Sequence, residues 1–205
     1  YYQRRLGLED FQISRLEDGQ GKRDLEISIS EKSLPLSGIV ELCENLDGRT
    51  LVIVPNEGKL QDFFEIFTRR ERPKKSLLSH RFSGNLTLLR SKLETMDKQG
   101  ILLLTLNVFL KHFQTLPAGA NLVLTRLPFE APGTRSDLQA LPQNYFLDHA
   151  LPKAVTVLHT ILSRFTAAAP DTARVYLLDN RILTDYDQAF LKYLESLPNS
   201  KISTV

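Results

Sequence analysis

Residues 100–106 read GILLLTL, and this apolar run indicates the fold more directly than any other part of the chain. Two further runs resemble it: RTLVIVP at 49–55 and ANLVLTRL at 120–127. A strand with one solvent-facing side alternates apolar and polar residues, whereas parallel strands buried on both faces read as nearly continuous runs of Val, Ile and Leu. The three runs therefore predict strands inside a parallel sheet that is covered on both faces.

Helical patterns separate these strands along the chain. Leu60, Phe63, Phe64 and Phe67 recur at the i, i+3, i+4 and i+7 spacing of one helix face. The other predicted helices lie at 37–48, 86–96 and 152–168, with a last helix around Phe190. Ser83 or Asn85 caps the helix at 86–96. The other predicted strands lie at 24–30, 76–80 and 174–179. A parallel crossover needs a connection that packs on the sheet, so the alternation predicts an α/β three-layer sandwich with a mainly parallel central sheet.

The composition excludes several classes of protein. The chain has 205 residues, 42% hydrophobic and 24% charged, with a formal net charge of +2, which is ordinary for one domain with a sizeable core. Cys43 is the only cysteine, which excludes an internal disulfide, a four-cysteine zinc site and an iron–sulfur cluster within this chain. The four histidines show no metal-ligand spacing, and we predict no metal site.

The ends of the sequence and its hydropathy lead to further expectations. The chain begins with Tyr1 and ends with Val205, and we expect it to be a piece of a longer protein. We divide it into a lead-in segment with the first strand (1–35) and an α/β core (36–205). It contains neither a long apolar run of membrane-span length nor the pattern of a signal peptide, which predicts a cytoplasmic protein.

The sequence contains no recognisable catalytic motif of its own. DGQGKRD (18–24) resembles a phosphate loop, but Leu16 stands where that motif needs glycine, and Arg23 where it needs Ser or Thr. We predict a turn there. No G-x-G-x-x-G follows a strand, and no G-x-S-x-G places a nucleophilic serine at a strand-to-helix turn.

Basic residues cluster in one loop. The stretch RRERPKK at 69–75 is either a solvated loop or a phosphate-contacting loop, since clustered Lys and Arg gain affinity for nucleic acid by releasing counterions. Its candidate nucleic-acid-binding residues are Arg69, Arg70, Arg72, Lys74 and Lys75.

A single arginine stands in the otherwise uncharged helical run TVLHTILSRFTAAAP (156–170). At the helical spacing, Leu158, Ile161, Leu162 and Phe165 form the core face, and Arg164 projects on the other side together with Thr160 and Ala167. Arg164 is then either a solvated cation or a guanidinium that acts on a nucleotide held by another domain. Spacing alone leaves both interpretations open.

Several phrases, in order and over nearly the whole chain, resemble the C-terminal RecA-like motor domain of the DinG-type and XPD-type DNA helicases of superfamily two. YYQRRLGL resembles the segment after the first motor domain, and GRTLVIVPNEGKL resembles motif IV. The remaining phrases are NLVLTRLPFEAPGT, which resembles the stretch after motif V, LPKAVTVLHTILSRF, which resembles motif VI, and VYLLDNRILTDYDQAFLKYLESLP, which resembles the closing strand, Asp-x-Arg turn and helix.

The departures from the family lie in its motifs. Motif VI of the family reads Q-x-x-G-R-x-x-R, and here Thr160, Ser163 and Ala167 replace all of its named residues except the arginine at Arg164. Motif V of the family carries E-G-x-D after a Thr or Gly at the end of a strand. Here TLNVFLKHFQ (105–114) keeps Thr105 at the strand end but has Lys111, His112 and Gln114 in place of the Glu, Gly and Asp.

The resemblance implies a function that this chain performs only with a first motor domain. It implies an ATP-dependent helicase tracking 5′ to 3′ on single-stranded DNA, with ATP and magnesium held mainly by the first domain. Arg164 would be the arginine finger, Thr160 and Gln114 would line the nucleotide, and Asn56, Glu57, Thr105 and Asn107 would face DNA. We expect a monomer with no activity of its own.

Two alternatives remain beside this hypothesis. The lost motif residues also fit a non-catalytic helicase-like module that binds single-stranded nucleic acid or a protein partner. The α/β pattern alone would fit an unrelated Rossmann-like ligand domain, which the absence of a glycine fingerprint disfavours.

Overall fold

A computed structural model of the protein describes residues 24–96, 98–114, 119–129, 145–169, 172–184 and 188–205. In these residues, seven strands form one sheet in the order β3-β4-β2-β5-β6-β1-β7, and every neighbouring pair is parallel. The strands are β1 (Asp24–Ile29), β2 (Thr50–Val54), β3 (Leu77–Ser79), β4 (Ile101–Thr105), β5 (Asn121–Leu124), β6 (Thr172–Leu177) and β7 (Ser200–Thr204).

Helices pack on both faces of this sheet, as the sequence predicts. One face carries α1 (Leu36–Asn45) and α2 (Glu57–Thr68). The opposite face carries α3 (Leu86–Thr95), α4 (Leu106–His112), α5 (Leu151–Ala168), the short α6 (Arg181–Thr184) and α7 (Ala189–Glu195). A π-helical turn (Phe146–Ala150) leads into α5. Among the described residues, no helix combines the length and the apolar character that a membrane span requires.

The sheet is buried on both faces only at its centre. Every residue of β2, β4 and β5 is buried, in agreement with the apolar runs. In β1 and β6 the burial alternates, and Glu26 and Arg174 face solvent, where they form an ion pair of 3.3 Å. Helices thus cover both faces of the sheet, but on its β6-β1-β7 side alternate residues of one face remain exposed to solvent.

Asparagine residues begin two of the helices that follow strands. The Asn56 side chain accepts the Lys59 N–H at 2.9 Å at the start of α2, and the Asn85 side chain accepts the Leu88 N–H at 2.8 Å at the start of α3. These bonds satisfy backbone donors that have no partner within the helix. The predicted start of α3 is thus confirmed, with Asn85 rather than Ser83 as the cap.

Candidate functional site

The loops after β2 and β4 meet at the carboxyl edge of the sheet. Asn56 and Glu57 follow β2, and Thr105 and Asn107 stand at the end of β4 and the start of α4. Because β2 and β4 are neighbours in a parallel sheet, both loops lie at the same edge, where open α/β sheets bind their ligands. We call this region the carboxyl edge. It brings together the four residues that the resemblance assigns to DNA.

A cleft of about 260 Å³ opens at the carboxyl edge, between the ends of β2 and β5. Its polar lining consists of Ser33, Asn56, Lys59, Thr125 and Arg126. Two cations thus border a concave surface at the start of α2, whose positive dipole end also favours anions. The sequence alone did not indicate Lys59, Thr125 and Arg126, although Thr125 and Arg126 directly follow the buried run of β5 and could have been found by their position at a strand end.

The four predicted DNA-facing residues have different environments. Thr105 is buried, so its side chain is not offered to a ligand at the surface, whereas Asn107 is exposed in the first turn of α4. Asn56 is exposed, but its side-chain oxygen already caps α2. The Glu57 carboxylate lies 3.0 Å from His80 Nε2 and 3.8 Å from Arg81 Nη1, so it holds the loop after β3 in place.

Arg164 lies against the end of a neighbouring helix. Its Nη1 donates to the Leu110 carbonyl at 3.0 Å and approaches the carbonyls of Phe109 and Phe113 at 3.5 Å. The guanidinium also lies 5.8 Å from the centre of the Phe109 ring. Arg164 therefore lies off the core face of α5, as its spacing predicts, but it is not simply solvated. The end of a helix has carbonyl groups without helical partners, and Arg164 caps this end of α4 through the Leu110 carbonyl.

A second arginine, on α3, also caps the end of α4. Arg90 on α3 donates from Nη2 to the His112 carbonyl at 2.6 Å. Lys111 and His112 add two basic residues to the last turn of α4. Cations are favourable beside the negative end of a helix dipole, so Lys111 suits this position although the resemblance has an acidic residue there.

The three residues assigned to the nucleotide lie near one another. Gln114 is exposed and directly follows Phe113, whose carbonyl contacts Arg164. Thr160 is one turn before Arg164 on α5, and its hydroxyl donates to the Thr156 carbonyl at 3.0 Å. All hydrogen bonds of the Arg164 guanidinium to described residues come from Nη1, so Nη2 and Nε remain for a further acceptor.

The basic run 69–75 lies at the opposite, amino edge of the sheet, between the end of α2 and the start of β3. The structure therefore does not bring it together with the four residues of the carboxyl edge. The Arg70 guanidinium forms an ion pair with the buried carboxylate of Glu44 on α1. Arg69, the C-cap residue of α2, pairs with Glu65 of the same helix at 3.2 Å. Arg72 is exposed.

The two lysines of the run stabilise the end of α1. Lys75 Nζ donates to the carbonyls of Leu46 and Gly48, and Lys74 Nζ donates to Asn45 Oδ1 at 2.8 Å. Burial lowers the pKa of Lys75, partly offset by the nearby Cys43 thiol and the Asp47 and Glu44 carboxylates. These contacts give most of the run a structural explanation that the sequence alone did not reveal.

Asp179 links three segments behind the cleft. Its carboxylate accepts Nε and Nη2 of Arg181 at 2.8 and 2.6 Å, accepts the Leu127 N–H at 3.1 Å, and lies 3.9 Å from Arg126. Burial, the largest single influence, opposes ionisation of Asp179, but the hydrogen bonds from Arg181 and Leu127 together outweigh it and lower its pKa. This is the Asp-x-Arg turn of the resemblance, and it holds the loop that carries Arg126.

The described residues offer neither a metal cluster nor an activated thiol. No group of three or more His, Cys, Asp or Glu side chains in this part of the chain could hold a metal ion. Cys43 is fully buried, and burial raises the pKa of its thiol to about 12, partly offset by Lys75. A thiol with so high a pKa is a poor nucleophile, so Cys43 belongs to the core.

Solved structures of helicase domains share this fold. An apo structure of XPD superposes with a TM-score of 0.60 and 13% identity over 90% of this chain. The C-terminal domain of the DEAD-box protein Dbp5 has a TM-score of 0.55 and 11% identity, and T4 UvsW a TM-score of 0.55 and 14% identity. No protein-family model and no curated protein matches the sequence.

These similarities concern the fold of the chain. The chain has the fold of a helicase C-terminal RecA-like domain, with an all-parallel sheet covered by helices on both sides. It spans 40% of the length of the XPD chain and 41% of UvsW, but 89% of the isolated Dbp5 domain. It thus corresponds to one domain of the larger helicases.

Proposed function

We propose that this chain is the second motor domain of an ATP-dependent DNA helicase of the XPD and DinG type. It works with the first RecA-like domain of the same protein and tracks 5′ to 3′ on single-stranded DNA. The observation that carries the proposal is the contact of Arg164 with the end of α4. The segments that resemble motifs V and VI thereby meet at one place, although Arg164 follows Leu110 by 54 positions in the sequence.

The residues around Arg164 fit one side of a nucleotide. ATP, with magnesium held mainly by the first motor domain, would supply the phosphoryl group that is transferred to water. Arg164 would direct its remaining N–H donors at the phosphates, where a guanidinium stabilises the charge of the transition state. Gln114 has an amide for hydrogen bonds, and the Thr160 hydroxyl, already donating to Thr156, would act as an acceptor.

The carboxyl edge fits the nucleic acid. Lys59 and Arg126 border the cleft, and Asn107 is exposed on the neighbouring loop. Phosphate contacts from such groups hold a strand without reading its sequence. The basic run at the amino edge would not contact the same stretch of strand.

The test compares two arginines that cap the same helix. In the full-length protein, Arg164→Ala should reduce DNA-stimulated ATP hydrolysis by about three to five decades if Arg164 is the finger. Arg90→Ala removes the other cap of α4 and is the matched control. We expect it to retain turnover and to lower the free energy of unfolding about as much as Arg164→Ala does, by about 1 kcal/mol.

The outcomes separate a finger from a structural arginine. Unchanged turnover in Arg164→Ala contradicts the assignment. An equal loss of turnover in both variants would mean that the end of α4, and not the Arg164 guanidinium, supports hydrolysis. Thermal unfolding of each variant shows whether the fold is intact.

A second function is favoured by how the motif residues are used. Arg164 caps α4, Thr160 bonds to its own helix, and Lys111 replaces an acidic residue. The contacts of Arg164 and Thr160 are made within the chain and do not require a nucleotide. They therefore also fit a non-catalytic helicase-like module, retained to bind single-stranded nucleic acid or a protein partner. It predicts a full-length wild type that binds single-stranded DNA but shows no DNA-stimulated ATP hydrolysis.

A further inference from the structure

Phe82 is an exposed aromatic residue in the loop that follows β3. Its side chain is 40% exposed although it is large and apolar. One face of its ring stacks on Phe64 of α2, with 4.0 Å between the ring centres and an angle of 23° between the planes. Phe64 therefore supports the ring from one side while a substantial part of it remains accessible to a ligand.

Hydrogen bonds fix the loop that carries Phe82. The Ser83 N–H donates to the Ser79 carbonyl at 2.9 Å, and the Ser83 hydroxyl accepts the Ser79 N–H at the same distance. Lys92 on α3 donates to the Ser83 carbonyl at 2.9 Å. Gly84 has a φ of +102°, which allows the turn into α3 that a side chain would strain. The exposed ring is thus held in one position, which lowers the entropic cost of binding to it.

The surroundings of Phe82 suit a polyanion. The Arg81 guanidinium lies 5.7 Å from the centre of the Phe82 ring, and its side chain is 46% exposed. His80 and Arg81 both contact Glu57, the first residue of α2, which places the loop beside the carboxyl edge. An aromatic ring next to a cation is the combination with which proteins bind single strands, because bases stack on the ring while the cation meets a phosphate.

We propose that Phe82 is a stacking platform for a base of single-stranded nucleic acid, and that Arg81 contacts an adjoining phosphate. The inference rests on the proposed function, since it extends the strand-binding carboxyl edge to the loop after β3. It adds a contact that depends on the presence of a base to contacts that depend only on the backbone. Every base has a π-face, so the platform should not select a sequence.

The experiment measures how the full-length protein binds two oligonucleotides of equal length, an oligothymidylate and an abasic strand, by fluorescence anisotropy at one low salt concentration. The wild type should bind the oligothymidylate more tightly. Phe82→Ala and Phe82→Leu should weaken binding of the oligothymidylate by about fivefold to a hundredfold and leave binding of the abasic strand unchanged. Phe82→Trp keeps a ring and should retain the wild-type preference.

Leu88 provides the matched control. It is 46% exposed at the start of α3 but has no ring, so Leu88→Ala should bind both strands like the wild type. An equal loss in Leu88→Ala and Phe82→Ala would indicate a general apolar contact, as with a protein partner, and would overturn the stacking proposal. Unchanged binding in Phe82→Ala would also overturn it.

The two strands distinguish this inference from the proposed function. If the wild type binds both strands equally, the stacking platform is wrong while strand binding at the carboxyl edge stands. If it binds neither strand, the proposed function is wrong and the inference is wrong with it.

Discussion

At the scale of single residues, the surroundings of Asp179 predict a measurable contribution to stability. Its carboxylate is almost fully buried and holds both Arg181 and the Leu127 N–H. Asp179→Asn keeps the shape but replaces one acceptor oxygen by an amide that faces Arg181. We expect the free energy of unfolding at neutral pH to fall by about 2 to 3 kcal/mol, the range for hydrogen bonds to charged groups. Urea unfolding measures the change.

The same residue predicts a dependence of stability on pH. Because the pKa of Asp179 is lowered in the folded protein, its contribution is fully present above the unfolded value of about 3.9 and is lost as the pH falls through the folded value. The difference between the wild type and Asp179→Asn should therefore be constant near neutral pH and shrink below about pH 4. A difference that stays constant down to acid pH would contradict a lowered pKa.

At the scale of elements, the side chains of the loop 69–75 stabilise the end of α1. Arg70→Ala would leave the Glu44 carboxylate buried without its charged partner, and we expect a loss of about 2 to 3 kcal/mol in the free energy of unfolding. Arg72→Ala in the same loop is the matched control, because Arg72 is exposed. It should change stability by less than about 0.5 kcal/mol. Equal effects of the two variants in urea unfolding would contradict a stabilising role of the Arg70–Glu44 ion pair.

The sequence predicts the strands that are buried on both faces, because burial gives them a distinctive run of apolar residues. β2, β4 and β5 lie in the sheet interior, so every position is buried and all residues but Thr50, Thr105 and Asn121 are apolar, which makes the runs unmistakable. The polar edge strand β7 was not predicted, because its alternating, mostly exposed residues resemble a loop and only its pairing with β1 makes it a strand. The strand predicted at 24–30 is confirmed as β1, but its place between β6 and β7 depends on tertiary pairing and could not be predicted.

The candidate site was harder to predict than the fold, for a physical reason. Spacing along a helix shows that Arg164 lies off the core face, but it does not show which neighbouring helix will lie beside it. The Arg164 contacts cross 51 to 55 positions of sequence, and those of Lys75 cross 27 to 29. Such contacts depend on tertiary packing, so clustered basic residues could not be divided in advance into caps and ligand-binding groups.

At the scale of the whole molecule, the cations divide between two edges of the sheet. Lys59 and Arg126 border the cleft at the carboxyl edge, with Arg81 beside it, whereas the run 69–75 lies at the amino edge. A strand bound across the ends of β2 and β4 would meet the first group and not the second. The sequence indicated only the basic run 69–75, whereas the structure has a second group of cations at the other edge of the sheet. The two groups should have different effects on binding.

This division predicts how two arginine variants of the full-length protein will differ in their salt dependence. Each phosphate contact with a single strand contributes about 0.7 to the slope of log K against log salt, because binding releases a counterion. Arg126→Gln should therefore weaken binding to an oligothymidylate and reduce the slope by about 0.7. Arg72→Gln removes the same charge at the amino edge and should leave both unchanged, whereas the reverse result would place the strand at the basic run. Circular dichroism of both variants must match the wild type, since Arg126 also lies 3.9 Å from Asp179.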